Sequence, residues 1–394
     1  MNLKKIYGLF VLILLTTGCI SEYNANQSST VSKILIVSGN IIANSDLTFF
    51  ISESFSLNSP DVPDESFVNN ANLTIIGSNG YQSSAAINQG KGVYRMRVGE
   101  LENDVEYGVE IQYNGDIYQS TLSKPLQTPE IDSVSMVQPE KYGAISVYVS
   151  THDDITESKF FAWDYMEDWE TVASIQTMIF LNPADNTFFT SPSATLYYCW
   201  KKDKSEGFVF NSSESLKENR IIDQQLFQCS SSNDRFSVLY SINVTQRAIS
   251  KNAYEYYQIR KKMNEEMGGL FTPQPSELTG NITCITNPAK KVMGYVNVNK
   301  NTTQKRIFVY PYQITREGPI PCGYVSHSDV VAYIKARGIT FADYYRTGMR
   351  PAGEANTIDY PEIIPIMWAS SYCTECTANG GTKDKPDFWP NDHK

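Results

Sequence analysis

Histidine is scarce, with three in 394 residues, and that removes most imidazole chemistry, from metal clusters to acid–base relays. Basic charge is also short: 33 Lys and Arg against 43 Asp and Glu give a formal net charge of −10, so polyanions are repelled and no nucleic-acid partner is expected. No apolar run approaches the roughly twenty residues that a spanning helix needs. A Gly-rich phosphate loop, a nucleophile elbow and an internal repeat are all missing from the sequence. No catalytic residue, cofactor or metal is predicted from it, and the expected role is not enzymatic.

What is present is sharpest at the start. Lys4 and Lys5 precede an apolar run from Ile6 to Leu15, followed by Thr16, Thr17, Gly18 and Cys19. Two cations ahead of a short apolar stretch and a run of small residues read as an export segment. The pattern ending at Cys19 resembles a lipobox, which makes residues 1–18 a lipoprotein signal peptide and Cys19 the lipidated residue. Two or three acyl chains would make attachment effectively permanent. Residues 19–32, rich in Ser and Asn, read as a lipidated tether.

The fold class expected is mainly β, in three parts. Residues 33–128 show visible alternation over 72–76 and 92–98, and Asn114-Gly115 suits a two-residue hairpin turn between two strands. Leu101 to Tyr107 resembles the tyrosine corner of immunoglobulin-like and fibronectin-III-like sandwiches, and that is the fold assigned to 33–128. Residues 129–313 form a second β-rich domain with one inserted helix at about 250–267. Ser250 would cap that helix, Ala253, Tyr256, Ile259, Met263 and Met267 would form its buried face, and Gly268-Gly269 would end it. The aromatic stretch 160–170 is expected to be core strand. Residues 314–394 form an irregular C-terminal extension with a short helix at 328–337 ended by Gly338.

Once Cys19 is acylated, six cysteines remain as disulfide candidates in an exported chain: Cys199, Cys229, Cys284, Cys322, Cys373 and Cys376. Cys199 and Cys229 flank a polar segment, and closing that loop would contribute about 3 kcal/mol, so these two are expected to pair. Cys373 and Cys376 have the spacing of a redox pair or half a zinc site, but neither context is complete. Disulfides holding the extension to the second domain are preferred over a zinc set of Cys284, Cys322, Cys373 and Cys376. Ser326-His327-Ser328-Asp329 reads as a helix cap before Val330 rather than a triad, and His152-Asp153-Asp154 as a solvated turn rather than a calcium loop.

Several segments together carry a family resemblance: Leu216 to Ile221, Tyr240 to Ile242, Thr272 to Ser276 with Gly280 to Ile282 and Cys284, Asn287-Pro288, Gly294-Tyr295, Arg306 to Phe308, and the ending from Cys373 to Trp389. They are similar to a family of Bacteroidota lipoproteins known as a domain of unknown function. The resemblance implies an outer-membrane lipoprotein whose neighbours include TonB-dependent receptors, and it implies no catalytic residues. Asp132-Ser133-Val134 also matches a short O-glycosylation acceptor pattern of that bacterial group, with Ser133 as the acceptor.

The function expected is that of a non-enzymatic accessory or ligand-presenting partner of a TonB-dependent transport system. It would be held in the outer membrane by its lipid anchor and face the cell surface, with residues 33–128 as spacer and 130–394 as the contact element. The alternative is a stand-alone surface adhesin or glycan-binding lipoprotein, and a glycan or peptide ligand fits either reading. An exposed aromatic row with polar flanks would favour a glycan, a broad apolar patch a protein partner.

Overall fold

The computed structural model describes residues 33–55, 62–191, 196–266, 278, 280–316, 322–353 and 366–391. The export segment, Cys19 and the tether lie outside the described residues, as do Met267, Gly268 and Gly269. Within them the chain is mainly β. No described helix is long and apolar enough to cross a membrane.

In the first sandwich, one sheet runs in the order Val292–Met293, Leu35–Ser38, Asp46–Glu53, Val93–Arg97, Ile87–Gly90. The facing sheet runs Ile282–Cys284, Asp116–Ser120, Tyr107–Tyr113, Asn72–Gly77. Period-two alternation sends Leu73, Ile75, Val109 and Ile111 inward against Leu47, Phe49, Ile51 and Tyr94 from the other sheet. Asn114 and Gly115 take φ of 49° and 81°, a mirror-image turn that matches strand twist and sets Tyr113 opposite Asp116. The Tyr107 hydroxyl accepts from the Glu102 N–H at 3.0 Å, the tyrosine corner that the sequence suggests.

The sequence reading places residues 282–299 in the second domain, but they complete the first. Ile282–Cys284 pairs with Asp116–Ser120, Val292–Met293 runs parallel to Leu35–Ser38, and Val298–Asn299 runs parallel to Ile41–Ile42. Their inward residues Ile282, Cys284, Val292, Val296 and Val298 fill the first core, which 33–128 alone leaves open along two edges. Glycine permits the approach. A Cβ on Gly294, at φ 146°, would lie 2.2 Å from the Val37 carbonyl oxygen, and one on Gly280 would lie 1.6 Å from the Gly294 carbonyl oxygen.

The second sandwich packs the sheet Arg220–Cys229, Ile145–His152, Ile131–Val137 on the sheet Tyr198–Lys204, Phe160–Val172, Tyr240–Ala248, Thr303–Val309, with Val209–Ser212 also on Phe160–Val172. Phe161, Trp163 and Trp169 of the long strand enter its core, so the aromatic stretch is core as expected. Inside, Trp163 Nε1 donates to Gln246 Oε1 at 2.7 Å, and Gln246 Nε2 donates to the Pro129 carbonyl at 2.9 Å and to Thr151 Oγ1 at 3.0 Å. This wholly buried amide is satisfied at every bond that it makes in the core.

The helix Lys251–Glu266 lies in the angle between the sandwiches, capped by Ser250 Oγ, which accepts from the Ala253 N–H at 3.1 Å. Its buried residues are Ala253, Tyr256 and Tyr257, while Ile259, expected on that face, is 42% exposed. The two surfaces meeting here rotate the buried face toward Tyr257, whose hydroxyl accepts from Asn297 Nδ2 of the first sandwich at 3.0 Å. Phe160 and Ala162 of the second pack beneath.

The extension is more regular than its sequence suggests. A small sheet in the order Val325–Ser326, Met367–Ser370, Met349–Ala352 carries the helices His327–Arg337 and Phe341–Arg346, and Gly338 ends the first helix at φ 63°. Its core also takes Leu181 and Phe188 from the hairpin Ile179–Asn182 and Thr187–Thr190, so residues 179–190 fold with the extension.

Candidate functional site

The long strand Phe160–Val172 alternates Phe161, Trp163, Tyr165, Glu167 and Trp169 on the side that enters the core, which puts one carboxylate among aromatics. Glu167 is 3% exposed. An unpaired charge there would be costly, so its partners matter. The Tyr240 hydroxyl donates to Glu167 Oε1 at 2.7 Å, and Arg235 Nε sits 3.0 Å from the same oxygen. Arg235 Nη2 donates to Glu167 Oε2 at 3.3 Å and to Asp203 Oδ2 at 3.1 Å, bridging a buried and an exposed carboxylate. The Arg235 guanidinium also faces the Trp169 ring at 5.1 Å.

This network floors a cleft of about 430 Å³ lined by Tyr165, Glu167, the turn 203–209, Leu226, Phe227, Cys229 and Arg235. The turn between Tyr198–Lys204 and Val209–Ser212 lines one side of it and the end of Arg220–Cys229 the other. Tyr165 and Phe227 form one wall, with ring centroids 4.8 Å apart. Burial raises the Glu167 carboxyl above its ordinary value, with the Tyr240 hydrogen bond and Arg235 pulling back. Burial pushes the Tyr165 hydroxyl up to about 12 and the Cys229 thiol up to about 11. The same burial disfavours the Cys229 thiolate.

The cysteine expectations divide. Cys199 bonds Cys376 and Cys322 bonds Cys373, so the extension is held by two disulfides, one of them to the second sandwich. The expected Cys199–Cys229 pair is overturned. Cys229 faces the cleft and Cys284 is buried in the first core, and both are free. Cys199 cannot reach Cys229 because it lies on a strand of the other sheet, directly against the turn at Gly381. The zinc set is dispersed by the same facts, and among the described residues no cluster of three metal-ligating groups occurs.

Other predicted positions are plain. Ser133 is exposed on Ile131–Val137, opposite Ser150. Ser326 caps its helix, accepting from the Asp329 N–H, while His327 accepts from Trp368 Nε1 at 3.2 Å and stacks on Phe341. The Asp153 carboxylate turns inward and accepts from the N–H groups of Ile155, Thr156 and Ser158 at 2.9, 2.7 and 2.8 Å and from the Thr156 hydroxyl. Burial opposes its charge, but these bonds outweigh burial and its pKa is lowered. Those oxygens are engaged within the protein, which is a turn cap and not a calcium loop.

The family described as a domain of unknown function, DUF4249, matches residues 20–305. The chain belongs to that family. No curated protein matches it. The DUF4249 match begins directly after Cys19 and spans the first sandwich and nearly all of the second, including every residue of the cleft. The two disulfides reach beyond it, to Cys322, Cys373 and Cys376. The motifs at the chain's end that suggested a family resemblance lie outside the matched residues.

Sequence reasoning missed the cleft. Its one legible signal is Glu167 itself, a carboxylate in register with inward aromatics. Arg235 and Tyr240 come from a 3-10 turn and the next strand, and nothing local marks them as its partners.

Proposed function

We propose that this protein is an outer-membrane lipoprotein, anchored through Cys19, that binds and presents a ligand as a non-enzymatic accessory of a TonB-dependent transport system. The cleft carries the binding half of this reading. Burial disfavours the Cys229 thiolate, and both Glu167 oxygens are engaged by Tyr240 and Arg235. Tyr165, Phe208 and Phe227 remain to receive a ligand. Two disulfides suit the oxidising compartment that export would supply. The receptor half rests on the resemblance to Bacteroidota lipoproteins and on membership of DUF4249.

The test is gentle detergent extraction of outer membranes with the anchor intact, followed by affinity capture of the full chain and identification of what accompanies it. A TonB-dependent receptor is expected, together with fatty-acid label that disappears in Cys19→Ala. Recovery of a free monomer alone, or label retained in that variant, would overturn the reading.

A further inference from the structure

Three loops meet at one end of the second sandwich. Register sets Ile145 opposite Cys229 and Tyr240 opposite Val309, so the turn 138–144, the loop 230–239 and the segment 310–316 all leave the sheets there. They are tied to one another. Thr315 N donates to Gln138 Oε1 at 2.8 Å, and Gln138 Nε2 donates to the carbonyls of Thr315 at 2.8 Å and Gly143 at 3.0 Å. Ser231 Oγ donates to the Tyr142 carbonyl at 2.8 Å, and the Tyr142 N–H donates to Thr315 Oγ1 at 3.0 Å.

What this clamp holds is unusual. Tyr142 sits at φ 62°, a left-handed conformation that bulky side chains avoid, even though Gly143 follows it. Strain of this kind persists only where the surroundings over-determine it, and here two neighbouring loops fix both its N–H and its carbonyl. The effect is to present a half-exposed ring to solvent. Alongside, Tyr312 is 82% exposed yet stacked on Tyr310, with centroids 5.5 Å apart and planes 22° apart. Lys141 Nζ lies 5.0 Å from the Tyr142 centroid and Tyr310 stacks on Tyr312, so each exposed ring keeps a face for a ligand, and Ser231 of the neighbouring loop holds the Tyr142 backbone.

The chemistry of this end selects the ligand. Most of its charges are paired, Asp234 with Lys201 and Arg235 with Glu167 and Asp203, and carboxylates and cations alternate around it, so it presents no strong field of one sign. Besides the tyrosines, the exposed large apolar side chain of these loops, among the described residues, is Val137 at their base. A protein partner would call for a contiguous apolar centre. A sugar ring needs less: a flat aromatic surface for its C–H face and hydroxyl or amide groups for its edge, which tyrosine and serine supply at low entropic cost.

We propose that this loop end is a carbohydrate-binding surface in which Tyr142 and Tyr312 stack neutral pyranose rings. The surface adjoins the cleft, which shares Arg235 with the loop 230–239, but neither tyrosine lines the cleft, and the proposal goes beyond the accessory reading. It is tested by affinity electrophoresis of the full chain, anchor retained in detergent, through gels containing dextran, mannan, laminarin or xylan. Retardation by at least one of these is expected, and Tyr312→Ala and Tyr142→Gly should each weaken it about ten-fold. Glycine suits the φ at 142, so that variant removes the ring without disturbing the turn. Tyr372→Ala, an exposed tyrosine on the extension, should leave retardation unchanged. Free migration in all four gels, or retardation that survives both substitutions, would overturn the proposal. Loss of a captured membrane protein in these variants without any polysaccharide binding would also overturn it, making the surface a protein interface. The receptor reading is judged separately, by capture of the unsubstituted chain.

Discussion

At the scale of single residues, the second sandwich and the extension place titratable groups where burial decides their state. His327 is the clearest case. Burial lowers its pKa below the ordinary 6.5, and its Nδ1 accepts from Trp368 while its ring stacks on Phe341. A proton on Nδ1 would set two donors against each other. The folded state therefore binds this proton less well than the unfolded chain, and the contribution is complete above the unfolded value of about 6.5 and declines as pH falls through the lowered one. The melting temperature of the full chain should drop on going from pH 7 to pH 5. In His327→Asn, whose amide oxygen can accept from Trp368 without titrating, the drop should be smaller, as followed by calorimetry; equal drops would remove His327 as the cause.

At the scale of elements, local chemistry sets turns and caps, and distant chain sets edges. Gly294 shows the second kind. Its backbone lies so close to Val37 that a Cβ has no room, so Gly294→Ala should cost upward of about 2 kcal/mol in denaturant unfolding. A variant as stable as the parent would mean that the strand Val292–Met293 docks less tightly than its register implies. The same contrast explains what the sequence reveals. The Asn114-Gly115 hairpin, the Tyr107 corner and the Ser250 and Ser326 caps are legible because each is decided within about five residues. The cysteine partners and the Glu167–Arg235–Tyr240 network are not, because the first join distant parts of the extension and the second sandwich and the second joins separate strands and a loop. Ile259 fails for a related reason: helical periodicity names an apolar stripe, but the two surfaces that cover the helix choose which part of it is buried.

At the scale of the whole molecule, the first sandwich cannot be treated as a detachable spacer. Removing residues 33–128 would strip partners from Ile282–Cys284, Val292–Met293 and Val298–Asn299 and uncover Ile282, Cys284, Val292 and Val298. Such a deletion should give a species that binds a hydrophobic dye and aggregates, whereas a chain ending at 313 should keep the first sandwich's cooperative unfolding. A well-folded, dye-negative 129–394 fragment would show that the shared strands are dispensable. This interleaving also has a meaning in time. A chain synthesised from its N-terminus delivers residues 33–128 first, yet the strands that close their sheets, within 282–299, come only after all of the second sandwich except its Thr303–Val309 strand. Long-range pairing of that kind is slow to form. The part of the molecule made first therefore waits for chain made much later, and its open sheet edges can mispair until then.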